Sequence, residues 1–297
     1  MATKERQGSS TLDILKQNLT LRPQDVAQIL LERATGKTTQ RIATLKRGES
    51  MHVVTPEAIS VQLWLSGDFE PEVTGTLEAV LQKDMVVWNI GSHIGTRVVQ
   101  ADAMVGRAGN ILAFEPTPRT KQILDLNAAR RISQIQTFSY AMGDKTDTTA
   151  FRDYGWLASG LNTAAQTSRF QPKAWKREPK YEEIAILMMT VDDLIGSTWL
   201  NGPDVLVVDA EGFELQIFEG AQTTLAIFKP IIVFETGDLG ESNTKGCIQY
   251  LSGLGYRFFE YQNGLLKLHT IKDNYPEPGN LVAIHPLAQR GIPSRTY

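Results

Sequence analysis

The sequence predicts one α/β domain built on a mostly parallel sheet with helices on both faces. Short apolar segments rich in Val, Ile and Leu alternate with amphipathic helical patterns, which is typical of successive βαβ units. One run of this alternation ends near residue 141, and a second begins near residue 205. A chain of 297 residues with 42% hydrophobic content can bury one substantial core. We therefore expect a single doubly wound domain.

The first 50 residues are predicted to form a short helical extension. Residues 1–10 are polar, and apolar residues then recur at helical spacing in two groups on either side of Arg22-Pro23. Proline ends the first pattern and opens the second. The expected organisation is an extension over residues 1–50 and one domain over residues 51–297.

The remaining elements follow from periodicity in chain order. Strands are expected at residues 85–90, 110–114, 135–141, 205–209, 231–235 and 256–261, and helices at 73–81, 94–104, 118–130, 213–228 and 243–254. Segments 265–269 and 281–285 are further strand candidates, and a seven-stranded sheet with a reversed last strand is the economical arrangement. The alternation fails at about residues 151–180, where aromatic residues lie among Gly, Ser, Pro and Lys, so we expect an insertion over the sheet.

Composition limits the function. A formal net charge of -3 makes broad nucleic-acid binding unlikely. The single Cys247 and only four His residues give no zinc-like cluster, and nothing marks a metal site, so none is expected. The N-terminus lacks an apolar signal core, and no apolar run approaches the length of a membrane span. These features favour a cytoplasmic protein without membrane association.

A glycine-containing turn is the first functional signal. Gly91 and Gly95 separate an apolar strand from a helix, whose first N–H groups are free to meet a ligand. Glu115 follows twenty residues after Gly95, at the end of the next strand, where a carboxylate can accept both hydroxyl protons of a ribose. The third glycine of a pyrophosphate-binding turn is absent. The pattern therefore favours a nucleoside ligand without phosphates over a dinucleotide.

Six motifs resemble, in order, those of the FkbM-type S-adenosylmethionine-dependent methyltransferases. They are NIGSHIG (89–95), FEP (114–116), AMGD (141–144), TVDDL (190–194), VDAEGFE (208–214) with EGA (219–221), and KPIIVFE (229–235). The resemblance covers roughly residues 50–285. It implies a class I methyltransferase fold, Rossmann-like with strand order 3-2-1-4-5-7-6, and S-adenosylmethionine as cofactor. It also implies O-methylation of a small molecule or sugar, in natural-product or glycan biosynthesis.

The chain departs from the family pattern at three positions. Asn89 stands where the family usually has Asp, His93 where it has Asn, and Val207 where it has Lys. Asn89 keeps hydrogen-bonding capacity but cannot offset the positive charge of the methionine amine or sulfonium, so weaker cofactor binding is expected. Two alternatives stay open: a catalytically degenerate binding or scaffold protein of the same fold, and a dinucleotide-dependent oxidoreductase.

The expected catalytic residues are Asp209, Glu211 and His93. Because ligands of open α/β sheets bind at the carboxyl ends of the strands, Asp209 is predicted to lie beside the methyl donor. Glu211 is predicted to orient the acceptor or act as base. The nearby Glu214 fits either function or the start of a helix. His93 is a second candidate for the base, or only a polar group of the turn.

The expected cofactor contacts include residues of the turn, of the next two strand ends and of the segment before the core. They are Glu70, Asn89, Gly91, Ser92, His93, Gly95, Glu115, Pro116, Met142, Asp144 and Asp209. Glu70 is either near the mouth of the site or a solvated acid at a helix start. Asp144 either accepts from the adenine amine or belongs to a turn. The insertion is expected to select the acceptor or to cover the cofactor, and the N-terminal helices leave an oligomer open.

Overall fold

Strands and helices alternate through most of the chain. The computed structural model describes residues 22–165, 179–237, 244–276 and 278–291, together with 293, 294 and 296. The strands are β1 Thr39–Thr44, β2 Ser50–Thr55, β3 Val86–Ile90, β4 Asn110–Phe114, β5 Gln134–Phe138, β6 Ala141–Met142, β7 Asp147–Asp153, β8 Glu182–Met189, β9 Val205–Val208, β10 Ile231–Thr236, β11 Arg257–Gln262, β12 Leu265–Leu268 and β13 Gly279–Ile284. The helices are α1 Pro23–Thr35, α2 Ala58–Ser66, α3 Pro71–Val80, α4 Thr96–Val105, α5 Pro118–Ala128, α6 Val191–Ser197, α7 Glu214–Glu219, α8 Gln222–Phe228 and α9 Thr244–Gly253, with a 3-10 helix at Trp156–Leu161.

The central sheet confirms the expected fold class. Its order is β12-β11-β13-β10-β9-β3-β4-β5. Counted from β5, the seven strands up to β11 give the order 3-2-1-4-5-7-6, and β13 is antiparallel to both of its neighbours. Within the described residues the sheet has one strand more than the seven expected, because β12 folds back on β11 as an edge hairpin.

Side chains alternate between two cores, one on each face of the sheet. Trp88 and Leu206 belong to the core covered by α6 to α9. Val87, Val207 and Val233 belong to the core covered by α3, α4 and α5. Because strand residues two apart share a face, the positions two residues after these three valines lie on the side of α4. This alternation places Asn89, Asp209 and Glu235 on one face.

The N-terminal part is a helix followed by a strand pair. Strand β1 pairs with β2 in an antiparallel hairpin that packs on α4 and α5. The side-chain amide of Asn127 donates to the carbonyl oxygens of His52 and Ile94, at 2.9 and 2.7 Å, and so ties the hairpin to the turn before α4. The extension was expected to be helical, but residues 39–44 form a strand that pairs across the expected boundary at residue 50. The helix expected near residues 12–19 lies outside the described residues.

Two elements are shorter in the structure than the sequence predicts. The helix expected at 213–228 is divided at Gly220 and Ala221 into α7 and α8. At Gly220 the backbone passes so close to Gly143 that a Cβ would lie 1.9 Å from its carbonyl oxygen. The strand expected at 135–141 ends at Phe138, and Ala141 and Met142 join a separate sheet of order β6-β8-β7. This small sheet provides both borders of the expected insertion, whose residues 166–178 lie outside the described part of the chain.

None of the described helices has both the length and the hydrophobicity needed to cross a membrane.

Candidate functional site

The turn after β3 is built by backbone contacts with both neighbouring strands. The N–H groups of Gly91 and Ser92 donate to the carbonyl of Phe114, at 3.1 and 2.9 Å. Gly91 has φ +80°, and a Cβ there would lie 1.7 Å from the carbonyl oxygen of Asp209. A Cβ at Gly95 would lie 2.9 Å from Cδ1 of Leu124. Gly91 is therefore required by the approach of the Asp209 backbone, and Gly95, at φ +93°, by a backbone conformation that residues with a side chain rarely adopt.

Glu115 is held rigidly beside this turn. One carboxylate oxygen accepts from the backbone N–H of His93 at 2.9 Å. The other accepts from the N–H of Thr117 at 2.9 Å and from the hydroxyl of Thr120 at 2.7 Å. Burial raises the pKa of Glu115, and these hydrogen bonds oppose the rise. The oxygen that His93 contacts retains a lone pair that can accept a further hydroxyl proton, as binding of a ribose requires.

Asn89 is buried with an unsatisfied side chain. Asn89 is 1% exposed, and neither its Oδ1 nor its Nδ2 has a hydrogen-bond partner among the described residues. An unpaired buried amide costs free energy that a ligand with both a donor and an acceptor can recover. The methionine end of S-adenosylmethionine carries an ammonium and a carboxylate. The residues at this edge of the sheet therefore fit that cofactor.

Three carboxylates meet at the ends of β9 and β10. One oxygen each from Asp209, Glu211 and Glu235 lies within 4.8 Å of the others. Glu211 adopts φ +51°, and its carbonyl accepts from the hydroxyl of Thr163 at 3.1 Å. Such a group can attract the cationic end of a methyl donor, accept a hydroxyl proton or coordinate a divalent cation. We refer to these three residues as the acidic cluster.

Glu235 was not among the expected site residues. It is 4% exposed and lies near the end of β10, whose Val233 is paired with Val207 of β9. The sequence contained a signal for Glu235, because this carboxylate stands at the end of a predicted strand. That strand lies next to the strand that precedes Asp209. Finding it required the order of the strands and their register.

Glu214 has a supporting position beside the cluster. It is 2% exposed, and its Oε1 accepts from the N–H groups of Ala210 and Gly212, at 3.1 and 3.3 Å. These bonds fix the loop that carries Glu211 at the start of α7. The contacts favour the helix-start interpretation of Glu214.

His93 lies between Glu115 and the segment that covers the turn. Its Nε2 is 2.8 Å from Oγ of Ser159, and desolvation lowers the pKa of His93 to about 4. The imidazole is therefore neutral near pH 7 and a poor proton acceptor there. The geometry favours His93 as a part of the donor site and leaves the carboxylates as the candidate bases.

The other residues expected to contact the cofactor lie in several different places. Ser92 and the half-buried Pro116 lie in the loops at the same edge, and the Ser92 hydroxyl donates to the carbonyl of Asn89 at 2.8 Å. Glu70 forms an ion pair with Arg97, so it lies beside the first turn of α4. Met142 is buried in the small sheet, and Asp144 is exposed just after it. The structure thus brings the turn, Glu115 and Asp209 to one edge, while Glu70 is engaged with an arginine.

The substitution Asn89→Asp is expected to tighten binding of S-adenosylmethionine by about tenfold, because a carboxylate in this buried position attracts the donor's ammonium. Without ligand, the same change should lower the melting temperature, since the new carboxylate is buried without a partner. Titration calorimetry and thermal melts with and without ligand test both effects. Unchanged affinity would mean that residue 89 does not face the charged end of the donor.

Comparisons with known proteins agree with this geometry. Residues 89–258 match the family model described as the methyltransferase FkbM domain. The chain is 25% identical over 174 residues to the hexuronic acid methyltransferase AglP of Haloferax volcanii. That match covers 58% of this chain and 65% of the length of the relative.

Solved structures show limited similarity. A methyltransferase FkbM from Methylobacillus flagellatus matches with a TM-score of 0.39 at 14% identity, over 76% of this chain and 52% of the other. An S-adenosylmethionine-dependent O-methyltransferase from Thermotoga maritima matches with a TM-score of 0.41 at 9% identity, over 86% of this chain and 81% of the other.

Proposed function

The chain belongs to the FkbM family of methyltransferases, whose cofactor is S-adenosylmethionine, and we propose that it methylates a hydroxyl oxygen of a sugar or another small molecule. The observation that carries this proposal is the acidic cluster next to the turn after β3. A curated relative named as a hexuronic acid methyltransferase supports a sugar acceptor. The chain matches 65% of that relative's length, so the acceptor is part of the proposal.

We assign the donor site to the loops that follow β3 and β4. Asn89 would bind the amino-acid end through its unsatisfied amide, and Glu115 would accept hydrogen bonds from the ribose hydroxyls. Gly91, Ser92 and Gly95 shape the turn between them, and His93 fixes one oxygen of Glu115. The domain that holds this site, expected over residues 51–297, is proposed to include β1 as well, because β1 pairs with β2 across residue 50.

The acidic cluster would supply the base. S-adenosylmethionine provides a methyl group on a sulfonium, so the leaving group needs no activation. What the chain must supply is alignment of the acceptor oxygen and removal of its proton. Glu211 is our candidate for the base because its loop is fixed by Thr163 and Glu214. Asp209 and Glu235 would hold the acceptor hydroxyl in line with the methyl carbon.

A second candidate function is donor binding without turnover. It is favoured by one observation, the neutral Asn89 at a position where the family pattern has a carboxylate. Under this alternative the chain would bind S-adenosylmethionine and leave every acceptor unmodified. It differs from the main proposal in chemistry only, since both use the same donor site.

The proposal predicts that S-adenosylhomocysteine and a methylated sugar form together when the protein is incubated with S-adenosylmethionine and a sugar panel. The panel should contain uronic acids and neutral hexoses, with mass spectrometry of both products. A methyl ether on a hydroxyl survives mild alkali, whereas a methyl ester on a uronic carboxylate is released. An alkali-stable product supports the proposal, and an alkali-labile product contradicts the hydroxyl acceptor.

Parallel reactions in EDTA and in Mg²⁺ test the use of the acidic cluster. We expect equal rates in both, because the sulfonium is already activated and the carboxylates act as proton acceptor and positioning groups. Loss of activity in EDTA that Mg²⁺ restores would assign the cluster to a cation instead.

A further inference from the structure

Residues 154–163, which we call the strap, contact both the turn after β3 and the loop after β4. Its ends are fixed, because Arg152 and Thr163 exchange backbone hydrogen bonds of 2.9 and 3.3 Å. Its Trp156 packs against the apolar cluster formed by the β1–β2 hairpin, α4 and α5. The strap is therefore anchored at its last residue, Thr163, and at Trp156.

Two polar side chains of the strap reach the two loops that hold Glu115. The Ser159 hydroxyl lies 2.8 Å from Nε2 of His93. The side-chain amide of Asn162 donates to the hydroxyl of Thr117 at 3.2 Å, while its oxygen accepts from the N–H of Tyr154 at 2.8 Å. Ser159 is 2% exposed, so its contact is shielded from water.

Both contacted residues bind Glu115 through their backbones. The N–H of His93 donates to one carboxylate oxygen and the N–H of Thr117 to the other, each at 2.9 Å. The strap thus supports one donor on each side of the carboxylate. His93 adopts φ +49°, a conformation that needs support from its surroundings in a residue with a side chain.

We propose that Ser159 and Asn162 are positioning residues for the ribose of the methyl donor. They fix His93 and Thr117, which together with Thr120 fix the orientation of the Glu115 carboxylate. Loss of either strap contact loosens one of these donors, so the carboxylate is less well oriented toward the ribose while the rest of the donor site remains. The inference rests on the proposed assignment of Glu115 to the ribose.

The experiment compares two ligands by calorimetry: S-adenosylhomocysteine and its 2′,3′-dideoxy analogue, which lacks both ribose hydroxyls. The wild-type protein should prefer the hydroxylated ligand by about tenfold, as expected for hydrogen bonds to a charged group. Ser159→Ala and Asn162→Ala should each reduce this preference to about twofold while changing affinity for the analogue little. Alanine is chosen at position 162 because the carboxylate of an aspartate could accept from the Thr117 hydroxyl and so keep the contact.

Ser133→Ala is the matched control, because its hydroxyl also bonds a side chain, that of Asp102, at 2.5 Å in a different part of the molecule. It should keep the full preference. A strap that only stabilises the fold would weaken both ligands equally in the two variants, and that result would overturn the inference.

Glu115→Gln separates failure of the inference from failure of the donor-site assignment. It should reduce the preference at least as much as the strap variants do. A wild-type protein without preference, or a Glu115→Gln variant that keeps it, would remove Glu115 from the ribose site. A preference lost in Glu115→Gln but kept in both strap variants would refute the positioning role alone.

Discussion

Replacement of Glu211 by glutamine is expected to lower the turnover number for methyl transfer by about a hundredfold or more, the usual contribution of a general base. Binding of S-adenosylhomocysteine should change little, because the donor site is assigned to Asn89 and Glu115. The reason is geometric: the Glu211 carboxylate lies within 4.8 Å of those of Asp209 and Glu235, in a loop that Thr163 and Glu214 hold in place. Initial rates of S-adenosylhomocysteine formation, with calorimetry of the same protein, measure both quantities.

Asp209→Asn tests the second member of the cluster and should also reduce turnover more than donor binding. Glu219→Gln is a suitable control, since Glu219 is an exposed acid at the end of α7. Full activity in both cluster variants would remove Asp209 and Glu211 from the mechanism. It would also favour an acceptor that is already an anion, such as a carboxylate, because such an oxygen has no proton to lose.

Replacement of Gly91 by alanine is expected to lower the free energy of unfolding by about 4 kcal/mol or more, the range reached when a side chain is forced into occupied space. A Cβ at this position would lie 1.7 Å from the carbonyl oxygen of Asp209, and φ is +80°. Relief requires that the ends of β3 and β9 separate. Urea denaturation measures the loss, and the surviving folded protein should bind S-adenosylhomocysteine weakly.

Gly196→Ala provides the contrast for this prediction. Gly196 lies inside α6, and a Cβ there meets no atom within 4 Å. Alanine should stabilise the helix by up to about 1 kcal/mol. A Gly91→Ala protein as stable as the wild type would show that the β3 turn and the β9 loop can move apart at little cost.

The central strands could be predicted from the sequence because they are buried on both faces of the sheet. Val86–Ile90 and Val205–Val208 are nearly continuous apolar runs, and such runs are typical of parallel strands. Strand β1 was not predicted, since Thr39–Thr44 has a single buried residue, Ala43, and its one large apolar residue, Ile42, is exposed. The break between α7 and α8 was not predicted for another reason: it coincides with a close approach of Gly220 to Gly143, which lies far away in the chain.

The site was predicted where its residues are close in sequence. Asp209 and Glu211 share one loop, and Glu115 ends the strand next to the glycine turn, so local pattern and strand order identified them. Glu235 was missed because its proximity to Asp209 depends on the register of β9 with β10. The environment of His93 was equally inaccessible, since desolvation and the contact with Ser159 arise only in the folded chain.

The pairing of β3 with β9 also bears on the order in which the chain can fold. Strands β3, β4 and β5 are neighbours in sequence and in space, whereas β3 meets β9 across more than a hundred residues, and Asp204 accepts from the N–H of Val86 at this junction. Pairings across such distances form late. Asn89 and Glu115 precede the junction in sequence, while Asp209, Glu211 and Glu235 follow it. A ligand that contacts residues on both sides of this junction therefore stabilises only the chain in which the two halves of the sheet have joined. Its binding reports the completion of folding.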